Sequence, residues 1–137
     1  MRRVAATICA DWVTEGPTEV SLVITDDVGI RALNRTWRAK DVATDVLSFP
    51  QFDPPVPRSA PCLGDVVISV ETATRQAAEA GHGLSEEMVV LLVHGLLHLL
   101  GHNHEGAAER QVMVEREQRW LRRFRVKQGL IQRAKGS

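Results

Sequence analysis

The sequence predicts one α/β domain of the α+β kind, with a few short strands and several helices packed around a central buried helix. Three observations predict it. The chain has 137 residues, 44% of them apolar, enough for one hydrophobic core and too few for two ordinary domains. Short runs rich in β-branched residues, "VSLVIT" and "LGDVVISV", alternate with segments of helical periodicity. The run from Met88 to Leu100 is apolar nearly all round, which marks a helix without a solvent face. The domain is expected to occupy 1–137, with a basic tail from about 125 to 137.

The opening segment "MRRVAATICADW" begins with two arginines but has no sustained apolar stretch before Asp11. No secretory signal is expected from it, and no regular element is assigned to it. Val20 to Thr25 reads as a strand, and Asp26-Asp27 supplies helix-capping chemistry after it. The helix that follows runs from about Val28 to Trp37. It places Ile30, Leu33, Asn34 and Trp37 at spacings of three and four, a core-facing stripe, with Arg31 and Arg35 on another side. A polar loop then leads into a strand over Val46 to Phe49 that Pro50 ends. The segment "QFDPPVPRSAPC" holds four of the six prolines and reads as a loop.

After the strand "LGDVVISV", Glu71 to Ala80 is alanine-rich and helical, and Gly81 to Gly83 interrupts it. Ser85 is placed to cap the next helix, with Glu86 and Glu87 in its positive first turn. That is the buried helix, which Gly101 stops. A last helix from about Gly106 to Phe124 directs Val112, Met113, Trp120 and Leu121 to the core. The longest apolar run, Met88 to Gly101, fourteen residues with two histidines inside it, falls short of the roughly 20 a membrane span needs. No membrane contact is expected, and the cytoplasm is the expected compartment. Cys9 and Cys62 form no CxxC pair and read as reduced thiols.

Four of the five histidines fall within "HGLLHLLGHNH", His94 to His104. His94 and His98 are four apart, on one face of the buried helix and one turn from each other. Gly101 breaks the helix, so the chain can reverse and bring His104 to the same point. Three imidazole nitrogens bind zinc at about 2.0–2.1 Å and leave a fourth tetrahedral position open for chemistry. His102 is a poorer third ligand, because three histidines up a straight helix span about 12 Å. It is read as standing behind the ligands or facing substrate, and His82 as an exposed loop residue. The spacing also matches the zinc peptidase pattern H-E-x-x-H-x-x-G-x-x-H, but Gly95 stands where those enzymes have their glutamate base.

The blocks "LNRTWRAKDVATDVLSFP", "LGDVVIS" and "HGLLHLLGHNH", in this order, resemble the YbeY endoribonuclease family of bacterial rRNA maturation factors from about Val20 to Leu121. The resemblance implies an α/β fold with a small mixed sheet, one zinc ion per chain, and single-strand-directed endoribonuclease activity. It links that activity to 16S rRNA 3′-end maturation and ribosome quality control. It implies His94, His98 and His104 as the metal ligands and places the family's functional arginine at Arg38, where a guanidinium would stabilise charge on phosphorus. Where the family commonly has tyrosine and aspartate, this chain has His102 and Asn103. No general base is assigned.

Net charge is zero, yet its distribution is uneven. From Arg119 onward there are seven basic residues and no acidic one, and Arg31, Arg35, Arg38 and Lys40 form a second basic cluster. Such clusters suit a polyanion or a solvated helix face and tail; it is the resemblance that implies rRNA and the small ribosomal subunit, with its associated proteins, as partners. Two other readings remain open on the residues: a ribosome-assembly factor with a mainly structural zinc, and a peptidase-like zinc hydrolase.

Overall fold

A computed structural model describes residues 1–103 and 105–126. The described elements run α1 (Arg2–Trp12), β1 (Glu19–Thr25), α2 (Asp27–Arg38), β2 (Val46–Pro50), β3 (Cys62–Ser69), α3 (Val70–Ala80), α4 (Leu84–Leu99) and α5 (Ala107–Arg123). The strands form one mixed sheet in the order β1-β3-β2. β3 is central, parallel to β1 and antiparallel to β2, with Val46 opposite Ile68 and Leu47 opposite Val67. This is the expected α+β fold with its small mixed sheet.

Successive side chains of a strand point to opposite faces, and both faces of this sheet are covered. On one side Leu47 and Val67 pack with Ile30 of α2. On the other, Val46, Val66 and Ile68 join the main core with α4, α1 and α5. α4 is the hub: Val90 to Gly95 are all buried, which accounts for the lack of a polar stripe in its sequence. Gly95 lets it lie close to the sheet. A Cβ there would stand 2.7 Å from Val66 Cγ1 and 3.2 Å from Ser48 Oγ, and the Ser48 hydroxyl donates to the Gly95 carbonyl at 3.0 Å.

Several expectations need correction. Trp37 is 70% exposed: the stripe it continues is buried only at Ile30 and Asn34, and helical periodicity gives a residue's direction but not what lies opposite it. Val112 is 43% exposed while Met113, Trp120 and Leu121 are buried. Ser85 does not cap α4; the N-cap is Gly83, whose N–H donates to Glu86 Oε1 at 3.4 Å. The His82 side chain is buried, only 2% exposed, with Nε2 2.8 Å from the buried Glu87 carboxylate. The opening segment folds as α1, with Val4, Ile8 and Cys9 in the core. The proline-rich segment packs against it: the Trp12 indole N–H donates to the Val56 carbonyl at 2.9 Å, and Arg58 stacks over the Trp12 ring at 3.5 Å. Both cysteines are free thiols, as expected. The expected basic tail lies, from Lys127 on, outside the described residues.

The amino-terminal ends of α2 and α3 are tied by one carboxylate. Asp26 caps α2, accepting the Gly29 N–H at 2.8 Å, while Asp27 accepts hydroxyl hydrogen bonds from Ser69 and Thr72, both at 2.6 Å, and one from Arg75 at 2.9 Å. Those donors hold the Asp27 carboxyl below its ordinary range, the two hydroxyls most strongly.

Candidate metal centre

Two turns of α4 bring His94 and His98 together. Their Nε2 atoms lie 3.1 Å apart, and the rings meet edge to face with centroids 4.6 Å apart. Two imidazole nitrogens on one tetrahedral ion, each at about 2.05 Å, would be about 3.3 Å apart. The donor pair therefore fits a shared zinc ion. The third expected ligand, His104, lies outside the described residues, and among the described residues no group of three metal-capable side chains converges.

The sequence reading missed a carboxylate that stands behind this pair. Glu117 of α5, 4% exposed, places Oε2 3.3 Å from His94 Nδ1. An Nδ1–H donated to Glu117 leaves the His94 Nε2 lone pair directed at His98, the arrangement that orients a metal-binding imidazole and raises its basicity. A signal existed: Glu117 falls on the Met113, Trp120, Leu121 stripe of α5, where an acid needs a buried partner.

Asp45 is a second buried carboxylate near the pair. It closes the loop from Ala39 into β2, accepting the Val46 N–H at 2.7 Å and the Gln76 amide at 3.4 Å. Burial pushes its carboxyl above the ordinary range, while the Val46 and Gln76 donors and the His94 ring pull it back. The same loop begins where α2 ends at Arg38, half-buried and followed by Ala39 in the left-handed region at φ 57°. Within the loop the buried Asn34 amide donates to the Val42 carbonyl at 3.0 Å, and Arg31 holds Asp41 at 2.9 Å.

Beyond α4 the chain turns at Gly101, whose φ of +97° favours glycine. The His102 N–H closes the turn on the Leu97 carbonyl at 3.0 Å. His102 and Asn103 border a cavity of about 240 Å³ with Glu109 and Val112. Burial, and then the charge of Arg116, lower the His102 pKa below its ordinary value. Gly95 also bears on the peptidase reading. Its Cα faces β3 and Ser48, so a glutamate at this position would be driven into the sheet.

A family model described as Endoribonuclease YbeY matches residues 1–125. The chain is 56% identical over 104 residues to the Endoribonuclease YbeY of Myxococcus xanthus, covering 75% of this chain and 35% of that protein. It is 51% identical over 90 residues to that of Thermus thermophilus, covering 66% and 65%. With the chloroplastic Endoribonuclease YBEY of Arabidopsis thaliana it shares 49% over 118 residues, 85% of this chain and 20% of that protein. The chain thus spans less than two thirds of the length of each. The solution structure of TM1509 from Thermotoga maritima, 22% identical, is similar with a TM-score of 0.58 over 90% of this chain and 81% of that one, a likeness of fold. Among the described residues no helix is long and apolar enough to cross a membrane. The convergent imidazoles on a buried helix thus sit in a chain that belongs to the Endoribonuclease YbeY family.

Proposed function

We propose that this protein is a zinc-dependent, single-strand-directed endoribonuclease that acts in the cytoplasm on rRNA of the small ribosomal subunit, in 16S rRNA 3′-end maturation and ribosome quality control. The observation that carries the reading is the 3.1 Å approach of the His94 and His98 Nε2 atoms with Glu117 behind His94, in a chain of this family. His94, His98 and His104 would hold one zinc ion. When bound, it supplies Lewis acidity toward a phosphoryl oxygen and lowers the pKa of water to about 7. Arg38, at the end of α2, binds the scissile phosphate and stabilises charge that builds on it, through paired N–H donors. Glu117 fixes the His94 ring, and the apolar body of α4 keeps both imidazoles still. No residue is given the role of general base.

Gly95 disfavours a peptidase, since the helix position that would carry its glutamate base faces the sheet. A ribosome-binding factor with a structural zinc shares the same ligands and differs only in whether RNA is cut. Cleavage of a small-subunit rRNA 3′-end fragment decides between them, measured with metal-quantified protein, chelated protein, chelated protein given zinc back, and His98→Ala. Cleavage that follows zinc occupancy and disappears in His98→Ala supports the nuclease; RNA held but never cut supports the binding factor.

A further inference from the structure

We propose that Trp37 is a stacking platform for an unpaired RNA base, at the end of α2 that carries Arg38; the inference rests on the ribonuclease reading above. Trp37 sits on the same helical stripe as the buried Ile30 and Asn34, yet it is 70% exposed. An indole left uncovered at the end of a helix presents a flat π-face to whatever docks there. Its surroundings select the partner. Arg38, half-buried, follows it in the chain and Lys40, exposed, lies just past the helix end, whereas the adjacent acid, Asp41, is held by Arg31 at 2.9 Å. Val42, 58% exposed, adds apolar surface on the same loop.

An aromatic face flanked by cations is the combination that binds single strands without regard to sequence: bases stack on the ring and phosphates meet the cations. A duplex offers no free base face, so this surface also supplies a physical reason for preferring unpaired RNA. Its position suits the reaction. Arg38, the residue given the scissile phosphate above, follows Trp37 directly at the end of α2, so stacking on the indole would hold a strand at that guanidinium.

The test is fluorescence anisotropy with a labelled short oligoadenylate and an abasic ribose-phosphate strand of equal length, strand integrity being checked on a gel. Trp37→Ala should weaken oligoadenylate binding about tenfold or more, leave the abasic strand within about twofold, and keep the melting temperature, since the side chain is exposed. Trp37→Phe should restore most of the loss. Lys40→Gln, by contrast, should weaken both strands and reduce the salt slope by about one. Oligoadenylate binding unchanged in Trp37→Ala overturns the stacking role while wild-type affinity keeps the RNA reading intact. Wild-type protein that binds neither strand overturns both. Unchanged RNA affinity together with a dimer that Trp37→Ala converts to monomer in sedimentation assigns the indole to a second copy instead.

Discussion

Glu117→Gln tests whether the carboxylate behind His94 sets the metal affinity. Gln keeps the volume and an acceptor oxygen for the His94 Nδ1–H, 3.3 Å away in the native protein, but removes the negative charge that raises imidazole basicity. Loss of such an outer partner weakens metal binding by about 10–100-fold. At a fixed zinc concentration well above the dissociation constant, each tenfold takes about 1.4 kcal/mol from the stabilisation that zinc provides. Unfolding entropy near 2.1 cal/mol/K per residue gives about 0.29 kcal/mol/K for 137 residues, so each tenfold lowers the zinc-loaded Tm by about 5 °C. The chelated variant should melt close to chelated wild type. Glu117→Ala, which also opens a hole beside a buried imidazole, should lose about 1–3 kcal/mol in chelator as well. Competition titration against a chromophoric chelator and calorimetry with and without zinc measure both quantities. A Glu117→Gln protein with wild-type zinc affinity and the wild-type Tm gain on zinc addition would refute the orienting role.

Gly95→Ala should lose about 1–2 kcal/mol in urea denaturation, despite the gain of about 1 kcal/mol that alanine normally brings to a helix interior, because its Cβ meets Val66 at 2.7 Å; a stability gain would contradict the close helix-sheet approach. The Asp27 carboxyl is held below its ordinary range, so its contribution is complete above about pH 4 and is lost as pH falls through the lowered folded value. Asp27→Asn should therefore be less stable at neutral pH and show a flatter acid limb, and stability curves that run parallel to wild type would count against it. Gly101→Ala and Gly81→Ala both strain a residue of positive φ, but only at Gly101 does a Cβ crowd another side chain, Pro54 Cγ at 3.1 Å. The first should lower zinc affinity as well as stability and the second stability alone; equal zinc affinity in the two variants would sever the glycine stop from the metal centre.

Those predictions turn on residues that the sequence revealed unevenly. α4 was readable because an all-round apolar run has few explanations, and the spacing of His94 and His98 forces their side chains onto one face of any helix. α1 is less legible although Val4, Ile8 and Trp12 recur every four residues, because two arginines followed by a short apolar stretch at an amino terminus have the pattern of a leader as well as of a helix. Periodicity gives the azimuth of a residue and says nothing of how far the neighbouring layer extends. Trp37 therefore looked like core and proved exposed. His82 went the other way: its burial depends on Glu87, a charged residue whose own burial makes sense only once the two are seen 2.8 Å apart. Glu117 and Asp45 were invisible as site residues for the same reason, since a buried acid is recognised by its partner, and those partners lie 23 and 31 residues away in the chain.

The sheet separates two sets of side chains with different work. Glu117, Ser48 and the imidazoles belong with α4, on the main-core face, while Trp37 and Arg35 belong to α2, which packs on the opposite face. Effects on metal affinity and on RNA affinity should then be independent. In the double variant Glu117→Gln with Trp37→Ala, losses in kcat/KM expressed as free energies should add within about 0.5 kcal/mol, the behaviour of sites without shared partners. The loop from Ala39 to Asp45 is a covalent route between the faces, and its last residue is a buried carboxylate whose pKa the charge of His94 lowers. If the double variant departs from additivity by more than about 1 kcal/mol, that loop is the place to look. Asp45→Asn then supplies the deciding third leg: coupling that vanishes in its background means the loop carries it, and coupling that survives means the bound RNA itself spans both sites.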